Sequence, residues 1–348
     1  MTRILLICFF LAALCRTGIS QYIPNSSQNF QFAPNFNPAF TGLEGYQDLK
    51  LSYRYQWSGL GGDAPKYINA AFNFRLKEPL DLTLNAIRTS MGKAQNNEVP
   101  KVKRIIHGLG ANAFSEEEGF MKRIGGGINY SFHYPITKTL TLAAGVNGTF
   151  YNSRLDIHKI DFGKDPNGIP IDPTNDIIYR ELQAGSSFSN LNARAGILVY
   201  HNRYYVGISY LNIVNMSLNN PNIGLNDVET AIGSPRQYKA VFQGGYSFPV
   251  SATMDVKPSV LALLQMDNSV LIDYNVKLYI QEKMWFGLTY RDVKSMIGVV
   301  GFNLNEKLGA SYSYELSSST ARQFLGGSHE LVLSVRLNNF KRQQQKTW

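Results

Sequence analysis

Leu49-Lys50-Leu51-Ser52-Tyr53-Arg54-Tyr55-Gln56-Trp57 alternates apolar and polar residues at every step. Successive side chains of a β-strand point to opposite faces, so Leu49, Leu51, Tyr53, Tyr55 and Trp57 share one side and Lys50, Ser52, Arg54 and Gln56 the other. The same period of two returns in Leu271–Ile280, in Leu308–Leu316 and in Glu330–Asn338. Counted along the chain, it predicts about fourteen strands. They lie near Gln47–Trp57, Lys66–Leu76, Pro79–Thr89, Met121–Tyr134, Thr139–Tyr151, Leu191–Tyr200 and Arg203–Leu211, then Tyr238–Phe248, Met254–Met266, Val270–Ile280, Met284–Arg291, Ser295–Leu304, Lys307–Leu316 and Ser328–Asn338.

Composition says what these strands face. Of 348 residues, 44% are hydrophobic and only 17% charged, against roughly 25% charged in an ordinary soluble domain. Forty-three are Phe, Tyr or Trp and 30 are Gly, which excludes a disordered chain. Arg3, the apolar run Ile4–Cys15 and the small residues Gly18 and Ser20 before Gln21 have the pattern of a cleaved secretory leader, residues 1–20. A lipoprotein reading around Leu11–Cys15 is disfavoured by Leu14, which stands where a small residue is needed. Both cysteines, Cys8 and Cys15, fall in the leader, so a mature chain without them has no disulfide and no thiol chemistry. The net charge of +9 falls to +7 once Arg3 and Arg16 are removed. Beyond residue 20 no apolar run reaches the 20 residues of a membrane helix.

An exported, helix-poor, aromatic-rich chain of alternating strands is expected to be all-β: a closed, antiparallel, up-and-down transmembrane β-barrel over residues 47–340. Residues 21–46 would form an N-terminal periplasmic segment or plug, and 341–348 a basic tail. Connections expected after even strands are tight, as at Lys77-Glu78, His201-Asn202 and Asn305-Glu306. Long ones follow odd strands, at Ser90–Phe120, Asn152–Asn190, Asn212–Gln237 and Ser317–Gly327, which is the periplasmic and extracellular asymmetry of such barrels. A soluble sandwich explains the alternation too, but it leaves long apolar edges without cover. In a barrel the polar faces line the lumen, which predicts an internal charge network of Arg54, Arg75, Asp273, Lys277, Glu315, Glu330 and Arg336.

At its two ends the chain resembles a known family. Gln31-Phe32, Asn37-Pro38-Ala39-Phe40-Thr41-Gly42 and the strand ending Arg54-Tyr55-Gln56-Trp57 are similar to the opening of PorP/SprF-type membrane proteins of type IX secretion. Tyr312-Ser313-Tyr314-Glu315 with Gly327-Ser328-His329-Glu330 resembles that family's last hairpin. The resemblance implies the outer membrane of Gram-negative, Bacteroidota-type bacteria. It also implies partners in the periplasmic secretion ring or its peptidoglycan-linked components, and secreted cargo with a C-terminal targeting domain, such as gliding adhesins. Asn37, Pro38, Arg54, Trp57, His329, Glu330 and Phe340 then become candidate partner or assembly contacts, with Phe340 as a terminal aromatic for barrel assembly. Asn37-Pro38 reads most simply as a rigid turn into the barrel.

Nothing in the sequence points to catalysis. His107, His133, His158, His201 and His329 are scattered, with no His-Glu-x-x-His and no Gly-x-Ser-x-Gly. His329 and Glu330, as strand neighbours, face opposite ways. Gly125-Gly126-Gly127 lacks the Lys and Ser/Thr of a phosphate loop and suggests close packing or a bend. Asp161, Asp165, Asn167, Asp172 and Asp176 crowd one long connection, but their spacing is not that of a calcium loop and Pro166, Pro170 and Pro173 make it turn-rich. The expectation is a non-enzyme without cofactor or metal, whose basic charge serves lumen, rims and tail rather than nucleic acid. A passive solute channel is the alternative, and an outer-membrane hydrolase a third.

Overall fold

The computed structural model describes residues 26–76, 105–137, 139–156, 159, 187–218, 238–266, 268–281, 283–292, 295–317 and 325–337. The strands are β1 (Gln47–Tyr55), β2 (Lys66–Leu76), β3 (Ile106–Glu118), β4 (Met121–Pro135), β5 (Leu140–Leu155), β6 (Ser187–His201) and β7 (Tyr204–Ser217). β8 runs in two pieces, Tyr238–Tyr246 and Phe248–Ser251, both paired with β9 (Met254–Gln265). The rest are β10 (Val270–Ile280), β11 (Met284–Arg291), β12 (Ser295–Asn303), β13 (Leu308–Ser317) and β14 (Ser328–Leu337).

Every strand pairs antiparallel with its chain neighbours, and β14 pairs with β1 from Gln47↔Leu337 to Tyr55↔His329. That last pairing closes fourteen strands into a barrel, so no edge keeps unpaired backbone groups, the condition for strands to cross lipid. The predicted period of two separates the faces. Leu51, Tyr53, Ile128, Val146, Ile208, Leu288 and Leu333 are exposed on the outside. Ser52, Arg54, Asn129, Thr149, Asn275, Glu315 and Glu330 are buried on the inside.

Two sequence expectations are corrected. The third strand is Ile106–Glu118, which the sequence reading assigned to a connection; it pairs directly with β2 through Lys66↔Glu117 and Leu76↔His107. No place remains between β2 and β4 for Pro79–Thr89, and residues 79–89 lie outside the described ones. The reason is chemical. The outer face of β3 carries only Leu109 among small residues such as Ala111 and Ala113, while its lumen face carries Gly108, Gly110 and Phe114, so the apolar alternation almost vanishes. Consequently β3 and β4 are joined by the tight turn Gly119-Phe120, with Gly119 at φ 55°, and the long connection comes after β2. It is therefore the rim of short turns, not the opposite one, that carries this connection, residues 77–105.

The outer face generates a stability prediction. Ile128 is central in β4 and 70% exposed. Ile128→Arg is expected to destabilise the barrel by about 2–4 kcal/mol in lipid; urea titration of folding into bilayers measures it.

Candidate functional site

Residues 26–46 precede β1 and lie inside the barrel. The local sequence explains their shape. Pro34 opens the single helical turn Ala33–Phe36 and Pro38 the turn Pro38–Phe40, positions where a missing N–H costs nothing. Between them Asn37 accepts a hydrogen bond from Ala39 N at 3.0 Å through its side chain, capping the second turn.

The Asn37–Gly42 stretch presses on a wall stripped of side chains. Asn37 Nδ2 donates to the carbonyls of Ile197 in β6 (3.1 Å) and Ile208 in β7 (3.4 Å). A Cβ built on Gly196 would stand 2.1 Å from Asn37 Oδ1, one on Gly145 2.4 Å from the Pro38 carbonyl carbon, and one on Gly108 2.3 Å from Thr41 O. Any side chain at these three positions would push the segment off the wall. Thr41 O accepts from Ser131 Oγ at 2.6 Å and lies 2.9 Å from His133 Nε2, while Gly42 O and Leu43 O accept from Arg75. Ala39, Phe40 and Leu43 pack with Ala143, Leu198 and Tyr200, and Phe32 packs with Ala71 and Val332.

The other end of the segment is held by charge. Glu330 accepts from Ser26 Oγ (2.8 Å), Ser27 N (2.6 Å) and Gln28 N (3.1 Å). Glu315 accepts from Ser27 Oγ (2.7 Å), Arg54 (3.0 Å) and Arg291 (3.1 Å). Arg291 forks onto both oxygens of Asp273 at 2.8 and 2.9 Å, and Asp273 Oδ2 also accepts from Asn29. Two guanidiniums thus meet three carboxylates away from water, with two backbone amides and the Ser26 and Ser27 hydroxyls supplying the remaining hydrogen bonds, a burial that only such dense pairing makes tolerable.

The predicted site residues divide accordingly. Arg54, Asp273, Glu315 and Glu330 meet in this clamp, and a fifth strand contributes Arg291, which ends β11 and was not among the expected residues. Asn37, Pro38 and Arg75 bind at the glycine-lined wall instead. Lys277 places its ammonium 4.3 Å above the Phe30 ring, and Arg336 donates to Asn303 and lies over Tyr46. His329 is on the outer face, its ring tilted against Tyr314 at 5.0 Å, with its Nδ1 2.6 Å from Tyr312 Oη. Trp57, at φ 55°, donates its N–H to Ser328 Oγ, and Ser58 N donates to Gly327 O, tying the end of β1 to the start of β14. Gly125 and Gly127 sit where a Cβ would strike Tyr151 and Thr149, the close packing expected of them. Phe340, the tail 341–348, the leader and the acidic connection Asp161–Asp176 lie outside the described residues. Among the described residues no three His, Cys, Asp or Glu side chains gather as a metal site.

A family model described as type IX secretion system membrane protein PorP/SprF matches residues 19–335. The chain belongs to that family. No curated protein matches this PorP/SprF member. Among solved structures, the Ralstonia pickettii toluene transporter TbuX is 12% identical at a TM-score of 0.47, with 88% of this chain and 93% of that one covered. Acinetobacter baumannii Omp33 is 10% identical at 0.43, covering 85% and 100%, and the Pseudomonas putida toluene transporter TodX is 9% identical at 0.45, covering 92% and 95%.

Two substitutions test how the PorP/SprF segment is held. Arg54→Met leaves three carboxylates against one guanidinium and is expected to cost about 3–5 kcal/mol in urea unfolding from bilayers. Gly196→Val is expected to expel Asn37 while the barrel persists, read as new protease cleavage within residues 33–45 of a barrel that still migrates faster in unboiled than in boiled gel samples.

Proposed function

We propose that this PorP/SprF protein is a non-enzymatic docking body of the type IX secretion machine. Freed of its leader and set in the outer membrane, it offers one rim to the periplasmic ring or peptidoglycan-linked components and supports the export or surface attachment of C-terminal-domain cargo such as gliding adhesins. The observation that carries this reading is the occupied lumen. Residues 26–43 touch β14, β13 and β10 through the clamp, β6 and β7 through Asn37, β5 through Pro38, and β3 and β4 through Thr41. A path for solutes would have to displace a segment anchored to most of the wall, whereas a docking role leaves the lumen filled and works at the rims. The rim of short turns also carries the long connection after β2, chain length in excess of what joins two neighbouring strands, and basic overall between Lys77 and Arg104.

Purified barrel in planar bilayers is expected to show no sustained ion-conducting steps, and a form lacking residues 26–43 to show them. Removal of residues 80–100 is expected to abolish secretion of C-terminal-domain proteins in the native organism without loss of heat-modifiable barrel. Steady conductance of the intact protein together with normal secretion after clean deletion of its gene would favour the solute channel instead.

A further inference from the structure

The wall that receives Asn37 and Pro38 from within is hollowed on its lipid side. Gly145 and Gly196 are register partners in β5 and β6, and Ser209 of β7 is the partner of Gly196, so three adjacent strands present almost no side chain to the lumen at one level. Pairing of β6 with β7 is also irregular between Ala193 and Ala195, which bends the wall just above. On the outside, Ala144 and Ala195 are short among the larger Val146, Ile197, Ile208 and Tyr210. Together with Gly145 and Gly196 they line a concavity of about 540 Å³, walled by Phe132, Ile208 and Tyr210.

We infer that this trough is a binding site for one acyl chain of an outer-membrane glycerophospholipid. Three observations choose that occupant. The trough is continuous with the exposed apolar band of Val146, Ile197, Ile208 and Tyr210 that already meets lipid. Its depth selects the leaflet: Phe132 is three residues from the end of β4 and Ile208 four from the start of β7, both at the rim of short turns. At about 3.3 Å per residue, less the tilt of the strands, the trough lies roughly 10 Å above that rim in a band about 25 Å tall. Short turns face the periplasm in bacterial barrels, so this is the glycerophospholipid leaflet. Finally, the turn joining β6 and β7 ends on Arg203, an exposed cation at the rim directly beneath those two strands, placed to meet the phosphate of a lipid whose chain enters the trough.

Native mass spectrometry of barrel extracted from outer membranes in a mild non-ionic detergent tests the site. One retained glycerophospholipid per barrel is expected. Filling the trough with Ala144→Leu and Ala195→Leu is expected to remove it, Arg203→Gln to lower its retention several-fold, and Val276→Phe on a distant part of the outer face to leave it. Equal retention by the filled and unfilled forms, or a wild type that carries no phospholipid, overturns the inference. A second measurement needs no variant: wild-type protein in vesicles containing a phosphatidylethanolamine with a photoactivatable acyl chain. Adducts concentrated between residues 195 and 210 are expected, and labelling spread evenly around the barrel overturns the site.

Discussion

A ring of fourteen strands encloses more space than its inward side chains can fill; eight strands are about the limit for a barrel packed by side chains alone. The remaining space has to hold water or protein, and here residues 26–46 take it. Putting backbone in a lumen brings unpaired amides and carbonyls with it, each of which needs a partner. Most of the unusual chemistry of the chain answers that need. Glu330 receives the amides of Ser27 and Gln28, Ser131 and Arg75 donate to the carbonyls of Thr41, Gly42 and Leu43, and Ser209 donates to Phe36 O.

The two anchoring zones work by different physics. At the glycine-lined wall the gain comes from approach: with Cβ atoms missing at positions 108, 145 and 196, backbone meets backbone and Asn37 reaches two strand carbonyls at once. In the clamp the gain comes from charge pairing, with each ion gathered from a different strand. Arg54 and Glu330 belong to β1 and β14, which close the barrel, while Asp273, Arg291 and Glu315 come from β10, β11 and β13. The closure seam and the internal segment are therefore stabilised by shared residues, so weakening one weakens the other.

How far the sequence discloses this depends on distance along the chain. Lys66–Leu76, Val270–Ile280 and Met284–Arg291 are readable to the residue, because a two-sided strand imprints its environment on adjacent side chains. Ile106–Glu118 escapes the same rule, since what determines Gly108 is Thr41, some seventy residues away, and what crowds Gly110 is Asn73 of β2. The charged lumen positions are visible as charges out of place on an alternating strand, but their partners are not: Ser26, Ser27 and Gln28 are ordinary polar residues until the fold brings them to Glu330 and Glu315. Asn37-Pro38-Ala39 stands out as a motif, and its contacts prove to be with the chain's own wall, across 160 residues in the case of Ile197.

The clamp also sets an order of events. Ser26–Asn29 are among the first described residues, yet apart from Arg54 of β1 the side chains that hold them come from β10, β11, β13 and β14, the last third of the chain. Early strands grip Asn37–Leu43, but Glu330, Glu315 and Asp273 reach Ser26–Asn29 only when the last strands are in place, and once β14 has joined β1 the route sideways into the lumen is shut. The Ser26–Asn29 end is therefore completed by the same final strands that close onto β1, so a correctly seated interior and a closed barrel are reached together.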